Sequence, residues 1–163
     1  MIRHIKCNIF ESGADIICHQ VNCQGVMGSG LAKQVREKYP KVYEEYLKWC
    51  REKSPKELLG KTQLVTLRHP WEDNPNNEPM GIINIFGQLN YGYSGNCYTD
   101  YDALKHSFKI IHDFVHLDNT QPVLAFPYKL GCVRGGGQWE IVYQMIEETF
   151  KDCVVLICEY NGG

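Results

Sequence analysis

Two stretches of this chain combine residue types that could hold a phosphate. The first, His19-Gln20-Val21-Asn22-Cys23-Gln24-Gly25-Val26-Met27-Gly28-Ser29-Gly30-Leu31-Ala32, leaves an apolar β-branched run and passes three glycines in six residues before helical periodicity begins. Glycines admit positive φ and close backbone approach. The first free N–H groups of the following helix point at any anion placed there, and the helix dipole favours it. Asn22 adds a polar side chain at the strand's end. The second stretch, Phe126-Pro127-Tyr128-Lys129-Leu130-Gly131-Cys132-Val133-Arg134-Gly135-Gly136-Gly137-Gln138-Trp139, repeats the order of strand, glycine-rich loop and helix. Two such loops at strand carboxyl ends can face one crevice, where ligands bind in open α/β sheets. A ligand with two phosphates is the chemistry this pairing suggests, with Arg134 closing over it. The plainer reading is a pair of tight turns whose glycines relieve crowding.

Other phosphate and nucleophile patterns fail on spacing. Gly60-Lys61-Thr62 ends like a P-loop, but the position that needs the first glycine holds Pro55. Gly25, Gly28 and Gly30 stand as G-x-x-G-x-G, the reverse of the dinucleotide fingerprint, and no acidic residue ends a second strand about 20 residues on. His19 with Cys23 or Cys132 offers a base and a thiol, which would need a separation of about 3 Å. Buried cysteines more often act as small hydrophobes. The eight cysteines include no C-x-x-C, so a structural zinc site, for which His19, Cys18 and Cys23 are the nearest set, is disfavoured.

The elements that must position these loops follow from periodicity. Ile2 to Cys7 and Asp15 to Val21 read as two strands about a turn at Glu11-Ser12-Gly13. Leu31, Val35 and Tyr39 mark a helix from Ser29 to Tyr39, interrupted by Pro40, and Val42, Tyr46 and Trp49 mark a second from Lys41 to Glu52. Thr62 to Leu67 and Gly81 to Phe86 read as strands flanking a polar loop from Pro70 to Pro79. Tyr101, Leu104, Phe108, Ile111 and Val115 form a 3.6-period stripe in a helix from Thr99 to His116, with Thr99 or Asp100 as its cap. Pro122 to Phe126 predicts a strand, Gln138 to Phe150 a helix with Ile141, Met145 and Ile146 inward, and Cys153 to Cys158 a last strand. Alternating strands and helices predict one layered α/β domain over residues 1–163, its sheet largely parallel.

Composition narrows the class. The chain has 163 residues, 44% hydrophobic and 22% charged, enough to bury a core without metal or disulfides. With 17 lysines and arginines against 19 aspartates and glutamates it lacks the basic excess of a duplex-binding domain, so bulk nucleic-acid binding is not expected. No apolar run approaches a membrane span, and the start, Met1-Ile2-Arg3-His4-Ile5-Lys6, carries no secretory h-region. The expectation is a cytoplasmic, reduced, monomeric protein with no membrane partner.

Both glycine loops, with the strand and helix order around them, resemble the macro domain, the ADP-ribose-binding module, over essentially the whole chain. Val21 through Ala32, and Leu130 through Trp139, look most like the branch of terminal ADP-ribose glycohydrolase and the antitoxin macro domains of DNA-modifying toxin pairs. The resemblance implies a three-layer α/β/α sandwich with a central mixed sheet and ADP-ribose across its crest. It places ADP-ribose contacts at Asn8, Ile9, Asn22, Gly28, Ser29, Gly30 and Leu31 in the first half, and at Gly131, Cys132, Val133, Arg134, Gly135 and Gly136 in the second loop. Asn8 stands where the family has an acidic adenine reader, and its amide oxygen would accept the adenine amino group without charge assistance. Gln88 stands where the glycohydrolase branch has a catalytic lysine, and Gly135 where some members have an aspartate. A glutamine amide is not a nucleophile. The resemblance therefore implies hydrolysis of an ADP-ribose adduct by a positioned water, oriented by Asn22, Gln88 or His19, with no cofactor and no metal. A reader that binds ADP-ribose or an ADP-ribosylated macromolecule without turnover, or another α/β nucleotide-binding enzyme, are the alternatives.

Overall fold

A computed structural model describes residues 1–92 and 94–160. Its strands are β1 (Ile2–Lys6), β2 (Ile16–Asn22), β3 (Thr62–Thr66), β4 (Gly81–Gln88), β5 (Leu124–Pro127) and β6 (Val155–Glu159). Its α-helices are α1 (Gly30–Lys38), α2 (Pro40–Glu52), α3 (Pro55–Leu58), α4 (Tyr101–Val115) and α5 (Trp139–Thr149). The sheet order is β1-β6-β5-β2-β4-β3, parallel throughout except for β3, which runs antiparallel to β4. The sheet is mixed, as expected. The first two strands do not form a hairpin, however. Between them a 3-10 turn at Ile9–Glu11, its N-terminus capped by Asn8, carries the chain across, so that β1 pairs with β6 at the edge and β2 sits near the centre.

Strand alternation divides the sheet between two helical layers. Ile16 and Cys18 of β2, with Ile83, Ile85, Leu124, Phe126 and Ile157, face Leu104, Phe108 and Ile111 of α4 and Val142 and Ile146 of α5. Ile17, Ile82, Val65 and Ala125 face the other way onto Val35 of α1 and Val42 of α2, and Val21 and Phe86 meet Tyr46 of α2 and Leu58 of α3. The stripe of α4 is as the periodicity predicts, with Asp100 as its cap, accepting from Ala103 N at 3.0 Å. In α5 Ile146 is buried and Met145 packs on the core as expected, while Ile141 is exposed and Val142 takes the inward position beside it. Pro55 ends α2 and also starts α3, for which Ser54 provides the cap. No helix among the described residues is long and apolar enough to cross a membrane.

Five parallel strands, β1, β2, β4, β5 and β6, thus end on one edge of the sheet at Lys6, Asn22, Gln88, Pro127 and Glu159. The loops that follow them build the site.

Candidate functional site

Along that edge lies a cavity of about 380 Å³. His19, Asn22 and Gln88 line its floor, Gly28 to Ala32 one wall, and Lys129 to Gly131 with Val133, Arg134 and Gly135 the other. A second compartment of about 330 Å³, lined by Asn8, Ile9, Gln34, Cys158, Glu159 and Tyr160, shares Leu31, Pro127, Tyr128, Lys129 and Val133 with the first. The two form one elongated cleft. Both loops therefore face one crevice, and the walls approach closely where a Cβ on Gly30 would stand 4.0 Å from Arg134 Cγ. Cys132 and Gly136 sit behind the wall. Cys132 packs on the core, and a Cβ on Gly136 would meet the Asn96 carbonyl at 2.5 Å.

The first loop is organised from beneath. Asn22 Oδ1 accepts from Gln24 N at 2.9 Å, and its Nδ2 donates to the Val26 carbonyl at 2.8 Å. The buried Tyr46 hydroxyl lies 2.8 Å from both Asn22 oxygens and accepts from Gly25 N and Val26 N, each at 3.1 Å. Gly25 and Gly30 adopt φ of 80° and 59°, which only glycine takes without strain. The chain then enters α1 at Ser29 with no side chain capping the first turn, so the amides of Gly30 to Ala32 are open toward the cavity.

The second loop is held by a polar chain running through Gln20. Its Nε2 donates to Gln88 Oε1 at 2.7 Å and to Thr99 Oγ1 at 2.9 Å, and Thr99 Oγ1 donates to the Gly131 carbonyl at 2.6 Å. A Cβ on Gly131 would come within 2.8 Å of Gln20 Oε1, and one on Gly135 within 2.2 Å of Thr99 Oγ1. These glycines make room for the loop to close on residues 96–99, where Tyr98 N and Thr99 N both donate to the Gly135 carbonyl. Gln88 Nε2 donates to the Asn90 carbonyl, so both ends of the amide are held.

On the other face of the sheet, His19, Asn84 and Gln63 occupy paired positions of β2, β4 and β3. Gln63 Nε2 donates to the Glu45 carbonyl, Asn84 Nδ2 donates to Gln63 Oε1 at 3.0 Å, and Asn84 Oδ1 faces His19 Nε2 at 2.6 Å. This ordering makes His19 Nε2 the donor. Its Nδ1 is then a bare acceptor, buried without a partner. Burial pushes the imidazole pKa down to about 4, against the opposing pull of the Asn84 hydrogen bond, so His19 is neutral at physiological pH. Among the described residues, no carboxylate lines the first compartment, whose formal charges are those of Lys129 and Arg134. That field suits an anion. Lys129 Nζ stands 5.5 Å from the centre of the Tyr128 ring.

The same fold occurs in the macrodomain of Mycobacterium tuberculosis DarG, with a TM-score of 0.78, 22% identity, and coverage of 98% of this chain and 97% of that one. It recurs in Thermosipho africanus DarTG in complex with ADP-ribose, with a TM-score of 0.78, 23% identity, and coverage of 97% of this chain and 41% of that one. The chain folds as a macro domain. No family model matches it. Among curated relatives it is 28% identical over 167 residues to the DNA ADP-ribosyl glycohydrolase of Mycobacterium tuberculosis, covering 100% of this chain and 43% of the relative. It is 38% identical over 73 residues to the ADP-ribose 1''-phosphate phosphatase of Scheffersomyces stipitis, covering 40% of this chain and 42% of that protein. The macro domain thus spans about two fifths of the length of these relatives.

In this macro domain the alternative chemistries are not assembled. Cys18 lies in the α4 and α5 core while His19 faces the other helical layer, so no zinc set forms with Cys23. Cys132 Sγ donates to the Leu130 carbonyl, and burial holds the Cys132 thiol up at about 11 and the Cys23 thiol at about 12, far from a reactive thiolate. Asn8 lines the second compartment, its Oδ1 fixed by accepting from Phe10 N at 3.0 Å, with a second lone pair left for a ligand. Sequence reasoning gave no role in the site to Gln20, Thr99, Tyr46, Asn84 or Gln63, which hold it together from adjacent strands and helices.

Proposed function

We infer that this macro domain binds ADP-ribose along the cleft and hydrolyses an ADP-ribose adduct. The adduct is an ADP-ribosylated DNA or protein, or a small ADP-ribose ester or phosphate. The observation that carries the reading is the two-compartment cleft with both glycine loops on its walls. Adenine fits the compartment at Asn8 and Ile9, the diphosphate lies between the open first turn of α1 and the Val133 to Gly135 wall, and the distal ribose reaches the floor at Asn22 and Gln88. Relatives bearing glycohydrolase and phosphatase names, and a structural neighbour in complex with ADP-ribose, support it.

The mechanism uses a positioned water without a lysine nucleophile. Gln88 is held by Gln20 and by the Asn90 carbonyl, and the one lysine among the described lining residues, Lys129, stands over Tyr128. The ligand's own phosphate supplies the negative charge that polarises that water, while the buried, neutral His19 is held beneath the floor through Asn84. Recognition rests on the ADP-ribose, not on the duplex or polypeptide that bears it, consistent with a formal charge of -2. The reading carries with it a monomer working in the cytoplasm.

A reader without turnover is favoured by one observation, that the Asn22 and Gln88 amides already hold intramolecular partners. Incubation with ADP-ribosylated DNA, ADP-ribosylated protein and ADP-ribose 1''-phosphate separates the two. Release of ADP-ribose from any of them, abolished by a charge placed in the cleft, supports hydrolysis. Binding to all with release from none establishes the reader.

A further inference from the structure

At the opposite edge of the sheet, away from the cleft, His112 and His116 stand one turn apart near the C-terminus of α4 and face Asp152 and Cys153, which lead into β6. The ligand atoms of these four side chains all lie within 4.8 Å of one another. His112 Nε2 is 3.0 Å from Asp152 Oδ1 and 3.1 Å from Oδ2, while His116 Nε2 is 3.1 Å from Oδ2. Cys153 Sγ is 3.6 Å from Asp152 Oδ1. The two imidazole rings lie with centroids 4.2 Å apart, their planes tilted by 32°.

The hydrogen bonding sets the tautomer. His116 Nδ1 donates to the His112 carbonyl at 2.7 Å, which leaves Nε2 as the lone-pair nitrogen of the neutral ring, aimed at a carboxylate oxygen. In the neutral ring that lone pair faces a carboxylate, which is repulsive, while His112 Nε2 can donate to the same carboxylate. A ring N–H donated to a backbone carbonyl, with the other nitrogen turned to a shared centre, is how metal-bound histidines are oriented. A cation between the two Nε2 atoms and Asp152 resolves the conflict with one charge. The metal-free alternative protonates His116 alone, so that both rings donate an Nε2–H to Asp152.

We propose that His112, His116, Asp152 and Cys153 form a zinc-class metal site that clips the end of α4 to the start of β6. Two imidazoles, a carboxylate and a thiolate are the donor set of zinc or cobalt, not of calcium or magnesium. Bonds of about 2.0–2.3 Å bring tetrahedral ligands to roughly 3–4 Å from one another, so closure from the observed spacing requires side-chain rotation only. On binding, Cys153 loses its proton to solvent and forms the metal–sulfur bond. The site is independent of the cleft, because the cleft lies at the carboxyl ends of the strands and this cluster precedes an amino end.

Titration of the untagged chain with Co²⁺ and Zn²⁺ tests this. One equivalent of Co²⁺ should give tetrahedral d–d bands with a thiolate charge-transfer band, Zn²⁺ should displace it, and the melting temperature should rise with either metal. Cys153→Ser should bind without the charge-transfer band. H112Q/H116Q should bind at least about 10-fold more weakly. It should bind ADP-ribose as the parent chain does, which shows that it is folded. No uptake by the parent chain, equal uptake by H112Q/H116Q, or a charge-transfer band that survives in Cys153→Ser overturns the site.

Discussion

Gln20 of β2 and Thr99 ahead of α4 meet behind the crevice, with Gln20 Nε2 donating to Thr99 Oγ1 at 2.9 Å and Thr99 passing its own proton to the Gly131 carbonyl at 2.6 Å. One hydroxyl thus joins the central strand to the second loop. Thr99 is buried, so Thr99→Val leaves the Gly131 carbonyl to Gly137 N alone, at 2.9 Å, and removes one acceptor from Gln20 at nearly constant volume. We expect a loss of about 1–3 kcal/mol in stability and a weaker hold on ADP-ribose. Urea melts and calorimetry on the same variant check both. Unchanged stability would show that water replaces the hydroxyl.

A glutamate in the first loop should abolish binding by occupying the diphosphate's path with a like charge. Gly28 is the cleaner position. Gly30 has φ of 59°, and a side chain there adds strain of about 1–2 kcal/mol that would blur the reading. A Cβ on Gly28 meets only Val26 Cγ1 at 3.6 Å. Gly28→Glu should melt as the parent chain does and lose ADP-ribose. Normal melting with normal affinity would remove the first loop from the phosphate site.

Much of the fold was legible because its signals are local. The α4 stripe, the strand at 81–86 and the two glycine loops each follow from a periodicity or a residue type within a few positions. The place of β1 was not legible, since Ile2 to Lys6 pairs with Val155 to Glu159 and nothing in its own residues names so distant a partner. The site divides in the same way. Asn22, Gly28 to Leu31 and Arg134 are visible within the motifs, whereas Gln20, Thr99 and Tyr46 act across strands and helices. One signal lay within reach: His19 and Gln20 are polar residues in a strand otherwise apolar from Ile16 to Val21, and polar side chains buried in a central strand need partners.

His19 makes stability depend on pH. Its folded pKa of about 4 lies below the ordinary 6.5, so between those values the unfolded chain binds the proton and the folded chain does not. Stability from this group is therefore complete above about 6.5 and falls as pH drops toward about 4, by a few kcal/mol. His19→Gln should flatten that part of the curve. Chemical denaturation of both chains at pH 7, 6, 5 and 4.5 measures it. Parallel curves would mean that His19 titrates normally.

Turnover, where it occurs, should leave no covalent trace on lysine, because Gln88 occupies the position aligned with the nucleophile. Borohydride added during hydrolysis should trap no protein–sugar adduct by mass spectrometry, and Gln88→Ala should slow the rate by no more than about 10²- to 10³-fold. A reduced adduct on Lys129, which lines both compartments, would place the chemistry with the lysine-dependent enzymes instead.

The central claim is that two backbone-rich loops hold the diphosphate of ADP-ribose while the Asn8 compartment takes the adenine. Isothermal titration calorimetry with ADP-ribose and with AMP, each in EDTA and in magnesium, tests it most directly. The account predicts a Kd on the order of micromolar for ADP-ribose, about -8 kcal/mol, the same with and without magnesium, and much weaker binding of AMP. Equal affinity for the two nucleotides, strict dependence on magnesium, or no heat with ADP-ribose would contradict it.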